Sequence, residues 1–302
     1  MARVDAKNRT KYWWDHHVSG LSLMCADFTT HEYTAHTHDA LVIAITELGG
    51  AHIKSKGVIE PVFPSGLFVS NPEEVQSSWM GESRRWRYRS MYLTRPAMDM
   101  VARGLGIDAT PHFTTSFLID VDLSARFASL HRALETTGDQ FLEHELLISA
   151  FSQLFFRYGS GGDRIEKIPD APAVVRKIAD VMQARLADGL LLDNLATAAN
   201  LTVFQLIGLF KRTLGVTPHA YLTNVRLNAA CRQLRLGRPI ADAAVAAGFC
   251  DQSALTKHFK RCYGITPLQF AKAAAVTRKG RERLRVPARD QSELEIIRNR
   301  PK

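Results

Sequence analysis

Between Tyr33 and Leu93, short runs rich in Val, Ile and Phe (ALVIAIT, GLFVSNP, WRYRSMYL) alternate with Gly, Pro and Asn. Apolar runs of this length between turn-forming residues predict the strands of an all-β unit. The period changes after Pro111. Leu123, Phe127, Leu130 and Leu134, then Leu146, Leu147, Ala150, Phe151 and Leu154, recur at helical spacing and predict two helices. Their apolar faces have two candidate partners, a second subunit or the β unit itself. We expect a homodimer with Leu146, Phe151 and Leu154 at its interface, burial against the β unit being the alternative. Residues 159–172, GSGGDRIEKIPDAP, have the composition of an interdomain linker. Beyond them the chain predicts helices joined by short turns. The expected organisation is therefore multidomain: 1–115, a β unit; 116–158, a helical packing or dimerisation segment; 159–172, a linker; 173–275, an all-α domain; 276–302, a basic tail containing RKGRERLRVPAR.

The helical domain repeats itself. Phe210-Lys211-Arg212-Thr213-Leu214-Gly215-Val216-Thr217-Pro218 recurs as Phe259-Lys260-Arg261-Cys262-Tyr263-Gly264-Ile265-Thr266-Pro267. Upstream of each copy lie an Ala-rich stretch (Leu195 to Ala199, Ala243 to Ala247), a turn at Asn200 or Gly248, and an N-cap candidate, Thr202 or Asp251. A short Ala-rich helix, a tight turn and a second helix make a helix-turn-helix, whose second helix presents its N-terminal residues to base edges. In the first copy Leu206, Leu209 and Phe210 form the buried stripe, leaving Phe204, Gln205, Gly208, Lys211 and Arg212 outward. In the second, Leu255 and Phe259 are core, and Gln252, Ser253, Thr256, Lys257, Lys260 and Arg261 face outward. Gln reads adenine; Lys and Arg serve guanine or phosphate. A helix from His219 to Leu236, with Leu222, Val225, Ala229 and Leu234 inward, joins the two copies.

Charge agrees with that division. Residues 1–166 hold 16 Lys and Arg against 20 Asp and Glu, whereas residues 167–302 hold 23 against 10. A basic half joined to a slightly acidic one suggests a polyanion binder carrying a separate module. No apolar run approaches the eighteen or more residues of a membrane span, and the N-terminus has no apolar signal core, so no membrane partner is expected. The four cysteines, Cys25, Cys231, Cys250 and Cys262, have no disulfide or metal spacing. A cytoplasmic setting is expected.

The segments DNLATAANLT, GLFKRTLGVTPHAYLTNVRL and AVAAGFCDQSALTKHFKRCYGITPLQF resemble the AraC family across residues 190–272. The resemblance implies two helix-turn-helices on a linker helix, binding to double-stranded DNA, and transcriptional control, commonly activation through RNA polymerase, in response to a small effector. This chain departs from the family pattern at Gly208, where an Arg is common, at Ala243 and at Lys257. Gly208 removes a base reader, so the second unit is expected to carry more of the specificity.

HTHDALVIAITELGGAHI, FPSGLFVSNPEEV and WRYRSMYL resemble the cupin-type sensor attached to such regulators, which implies a β-barrel. Cupin enzymes hold a metal through an HxH pair, a following Glu and a distant His. Here His36 and His38 keep the pair, the Glu position falls within Leu41 to Ile43, and the distant position is Gln76. His16, His17 and His31 have no demanding spacing. Two of four ligands do not make a catalytic site, so neither metal, cofactor nor enzymatic activity is expected.

Arg84-Arg85-Trp86-Arg87-Tyr88-Arg89 is the most unusual run. On a strand Arg85, Arg87 and Arg89 share one face. They are either a solvated strand face or a grip for a phosphate-bearing effector. Arg85 and Arg89 form RxxxR, and Gln76, Ser78, Trp79 and Gly81 nearly complete the companion motif, so the set resembles the cyclic di-GMP signature of PilZ domains in reversed order. Cyclic di-GMP is one candidate effector. The alternative is a neutral sugar or similar metabolite inside the barrel. A metal-dependent cupin enzyme fused to the DNA-binding domain is a further, less favoured reading.

Overall fold

The computed structural model describes residues 8–108, 110–160 and 170–274. Most of the expected linker and the basic tail lie outside the described residues. The chain order is β1 (Arg9–Trp14), β2 (Leu21–Phe28), β3 (Glu32–His36), β4 (Leu41–Gly49), β5 (Ala51–Ser55), β6 (Val58–Val62), β7 (Gly66–Ser70), β8 (Gln76–Trp79), β9 (Trp86–Leu93), α1 (Arg95–Leu105), β10 (Phe117–Ile119), α2 (Val121–Thr136) and α3 (Gln140–Tyr158). Then follow α4 (Pro172–Ala184), α5 (Leu192–Ala198), α6 (Val203–Leu214), α7 (Pro218–Arg235), α8 (Ile240–Ala246) and α9 (Gln252–Tyr263). None of the described helices is long and apolar enough to cross a membrane.

The strands form two antiparallel sheets, ordered β1-β2-β9-β4-β7-β10 and β3-β8-β5-β6. Strand alternation gives the larger sheet two different faces. Leu21, Leu23, Ile43, Met91 and Leu93 point to one side and are almost fully buried, and α1 and α2 pack on this sheet. Ala26, Phe28, Trp86 and Tyr88 point to the other and share a core with Ala51, Ile53 and Val62 of the smaller sheet. The two sheets thus close around an interior, as the cupin-like resemblance implied.

The expected subunit-interface residues need correction. Phe151 and Leu154 on α3 are fully buried within the chain; Phe151 meets Phe127 of α2 edge-on at 5.1 Å. Those two side chains are spent on the chain's own core, whereas Leu146 is half-buried and the neighbouring Phe156 is 74% exposed.

Two compact units emerge: Met1–Met182 together with Gly189–Tyr221, and Gln183–Asp188 together with Leu222–Lys302. The first therefore holds α5 and α6, the first helix-turn-helix, along with the β-rich domain. The second holds α8 and α9 around a core of Leu227, Ala230, Leu234, Ala243, Ala244, Leu255 and Phe259.

Candidate functional site

The barrel interior contains a cavity of about 430 Å³, within the range of small-molecule sites. Both sheets contribute: Met24, Val42, Ala44, Trp86 and Tyr88 from one, Tyr33, Ile53 and Ser78 from the other. Hydroxyl pairs line it. Tyr33 and Tyr88 meet at 2.8 Å, Tyr12 donates to Ser22 Oγ at 2.8 Å, and Ser90 donates to the Tyr92 oxygen at 3.1 Å. Burial pushes the Tyr92 phenol up to about 12 and raises those of Tyr33 and Tyr88, so all three stay protonated. Neither Lys nor Arg lines the cavity; Asp39 is the charged residue at its wall.

His36 and His38 both face this cavity, rings 4.9 Å apart, and Gln76 is paired in register with His36. The His36 Nδ1 is engaged with the Thr34 carbonyl at 2.7 Å, and burial lowers the His38 pKa. The pair gives two imidazole donors, where a catalytic zinc takes three His, Cys or carboxylate ligands. Among the described residues, the cluster with metal-type donors is instead Cys25, His131 and Glu135. A guanidinium already sits there: Arg89 Nη1 donates to Cys25 Sγ at 3.2 Å, His131 Nδ1 at 3.1 Å and Glu135 Oε2 at 2.8 Å. His131 Nε2 lies 3.2 Å from the Met24 carbonyl. Burial, with Arg89 beside it, pulls the His131 pKa down to about 4, so the ring is neutral and accepts from Arg89.

The arginine run is therefore occupied by carboxylates. Arg85 grips Asp27 bidentately at 2.7 Å through Nε and Nη2, and Arg87 joins the same carboxylate at 2.8 Å. Together they hold the Asp27 carboxyl well below the usual carboxylate range. Arg89 also donates to Glu47 at 2.8 Å, across the β4–β9 register shift between Thr46 and Leu48. Arg84 is exposed. The expected effector-binding set is not brought together, which corrects the sequence reading. Gln76 and Ser78 line the cavity, whereas Arg85, Arg87 and Arg89 alternate with the cavity-lining Trp86, Tyr88 and Ser90 and so point to the opposite face of β9. Strands β8 and β9 moreover belong to different sheets. Trp79 stacks on His52, and Gly81 (φ 58°) approaches the same ring so closely that a Cβ would lie 2.7 Å from it. Both serve local packing there.

The helix-turn-helix geometry matches expectation. Asn200 and Gly248 take positive φ at the two turns, 54° and 81°. Thr202 caps α6 and Asp251 caps α9, each accepting from the backbone three residues on, at 3.1 Å and 2.7 Å. The Gln205 carboxamide folds back onto the Thr202 backbone N–H at 3.0 Å, completing a capping box. That bond engages one lone pair of the oxygen expected to face adenine. On α6, Lys211 is exposed and Arg212 pairs with Asp170 at 2.7 Å, while Phe204 is half-buried. On α9, Gln252, Ser253, Lys257, Lys260 and Arg261 are exposed, and Thr256 donates back to the Gln252 carbonyl at 2.8 Å.

Known proteins divide this chain in the same way. A profile described as an AraC-like ligand binding domain matches residues 20–151, and one described as a helix-turn-helix domain matches residues 195–273. An uncharacterised HTH-type transcriptional regulator of Bacillus subtilis is 27% identical over 74% of this chain and 81% of its own. The TetD protein of transposon Tn10 from Escherichia coli is 32% identical over 32% of this chain and 71% of its own. An AraC-like transcription regulator of Streptomyces antibioticus is 40% identical over 79 residues, 26% of each chain. Among solved structures, the apo form of a ToxT variant from Vibrio cholerae overlaps 84% of this chain and 97% of its own at 13% identity, with a TM-score of 0.36. With a ligand-binding profile over the β-rich domain and a helix-turn-helix profile over the repeat, the chain belongs to the AraC family of transcription regulators.

Proposed function

We propose that this regulator binds DNA under the control of a neutral effector held inside the barrel, a hydroxyl-bearing ring the size of a sugar or small aromatic metabolite. The observation that carries this reading is the cavity's lining: tyrosine and serine hydroxyls beside the indole and phenyl walls of Trp14, Trp86 and Phe68, with no Lys or Arg side chain. Such a wall stacks on a ring and hydrogen-bonds its hydroxyls, but leaves phosphate charge uncompensated. A cyclic dinucleotide would have to displace Asp27, Glu47 and Glu135 from the arginines on the outer face. Gln76, 8% exposed, adds a buried Oε1 with no partner among the described residues, an acceptor that an effector hydroxyl satisfies.

DNA binding follows from the exposed polar and basic face of α9 and the basic second half of the chain. Affinity falls steeply with salt, because phosphate contacts release counterions. The effector acts through its different affinity for alternative arrangements of the DNA-binding helices.

Isothermal titration of the full chain with a panel of neutral sugars and phenolic metabolites, and separately with cyclic di-GMP, tests the reading. We expect micromolar binding of a neutral compound, weakened at least tenfold by Tyr88→Phe, and no heat with the dinucleotide. Tight dinucleotide binding lost in Arg85→Ala would overturn it.

A further inference from the structure

The two copies of the repeat differ where a reading helix meets bases. The shared Phe-Lys-Arg block puts Val203, Phe204, Ile207 and Gly208 of α6 at the positions of Gln252, Ser253, Thr256 and Lys257 of α9. At these four positions every polar group of the second face has an apolar or side-chain-free counterpart on the first, whereas farther along Lys211 and Arg212 match Lys260 and Arg261. Apolar residues can touch thymine methyl groups, but only from an open surface. Val203 and Ile207 are 3% and 4% exposed, whereas Gln252, Ser253 and Lys257 are open.

The cover over α6 is identifiable within the first compact unit. There α6 packs on α1 and α3, and α5 packs on α3. At the tip of α6, Gly106, the left-handed C-cap of α1 (φ 71°), abuts the methyl group of Thr202; a Cβ at Gly106 would lie 2.5 Å from it. Polar contacts ring the junction. His144 Nδ1 of α3 meets Asp193 of α5 at 3.2 Å. Glu145 accepts from the His219 backbone N–H at the start of α7 at 2.8 Å, and Asp139 meets the His219 ring at 3.1 Å. A sensor-domain carboxylate thus occupies the electropositive end of α7. Helix α1 also starts on the cavity: its N-cap, Thr94, lines the wall.

We propose that the first helix-turn-helix is a docking element, seated on the chain's own sensor domain through the apolar face of α6, and that base reading by each chain is the work of α9. Release of α6 would expose Val203 and Ile207, and the four positions that match the open face of α9 would present no hydrogen-bonding reader in return. Kept in place, α6 gives the cavity a mechanical connection to the first helix-turn-helix, through α1 and Thr202. The inference rests on the DNA-binding reading above.

The test is selection of duplexes from a random pool by the full chain, with thermal melting of each variant. Wild type is expected to enrich one compact block of specified base pairs per chain. Gln252→Ala with Lys257→Ala lowers the preference for that block about 10- to 100-fold. Ile207→Gln puts an amide into the docked face, so it lowers the melting temperature by several degrees and leaves the selected sequence unchanged. Should Ile207→Gln fail to fold, Gly208→Lys replaces it: this variant copies Lys257 and is expected to add no specified base pair. The docking role is overturned if Ile207→Gln leaves the melting temperature unchanged, or if either α6 variant alters the selected sequence. Enrichment of no sequence by wild type would overturn the DNA-binding reading itself, a different and recognisable failure.

Discussion

The two helix-turn-helix units share a fold and an exposed Lys-Arg pair late in each second helix, but not the surface ahead of that pair. Both have a positive-φ turn, an N-cap accepting from the third residue on, and a fully buried phenylalanine, Phe210 or Phe259. These features set the angle between two helices, and the repeat preserves them. The N-terminal parts of the outward faces are free of that constraint and have diverged: Val203 and Ile207 of α6 are apolar and buried, whereas Gln252, Ser253 and Lys257 of α9 are polar and open. A structural motif therefore reports the scaffold, and only the side chains off the scaffold report what it contacts.

The largest expected effects come from the two cores. Phe210→Ala and Phe259→Ala should each cost about 3–5 kcal/mol, but in different places. Trp13, Trp14, Trp79 and Trp86 all lie in the sensor domain, so tryptophan fluorescence reports that domain alone. If α6 is part of the sensor's compact unit, Phe210→Ala lowers the fluorescence-monitored melting temperature and Phe259→Ala leaves it in place. Equal shifts would erase the distinction between the units.

Acid sharpens the same contrast. His131 is fully buried, and its pKa falls from 6.5 to about 4 on folding. The folded state thus favours the neutral ring. Its contribution is fully present above pH 6.5 and is lost as pH falls towards 4, up to about 3 kcal/mol. Burial lowers the His144 pKa too, with the same sign. In the second unit the shifted groups, Cys231 and Tyr263, are raised and remain protonated in this range. Melting followed by tryptophan fluorescence between pH 7 and 4.5 should show the sensor domain weakening, and His131→Gln should flatten that dependence.

Smaller effects separate the reading faces. Gln252→Ala with Lys257→Ala should weaken binding to a selected duplex by about 1.5–3 kcal/mol, whereas Gly208→Ala changes it less than twofold, by fluorescence anisotropy at one fixed salt concentration. The caps are the control. Thr202→Ala and Asp251→Ala should each cost about 1 kcal/mol of stability, and a large disparity would mean that the scaffolds are not equivalent.

Much of this was legible in the chain. ALVIAIT and GLFVSNP predicted β4 and β7 because strands buried on both faces are written as apolar runs, and WRYRSMYL predicted β9, whose buried and half-exposed positions alternate. Strands β1 and β2 were not singled out: LSLMCADF serves two buried faces, and RTKYWW is an edge strand that leaves Tyr12 and Trp14 exposed. The repeat located both caps. The burial of Ile207 was not legible, since α1 and α3, on which α6 packs, are distant from it in sequence. The arginine run misled for a related reason. Its partners Asp27, Glu47 and Glu135 come from β2, the β4 bulge and α2, and no local motif shows that the charges are already paired. His36, His38 and Gln76 were placed together correctly, since the cupin-like spacing defines one wall of one barrel.

The most direct test is the anisotropy of a selected duplex with the full chain, titrated with the neutral panel, in wild type, Gln76→Leu and Arg85→Ala with Arg87→Ala. The account predicts that a neutral compound changes wild-type DNA affinity, that Gln76→Leu blunts the response, and that the arginine variant keeps it. A response confined to a phosphate-bearing effector, lost with the arginines and indifferent to Gln76, would contradict it.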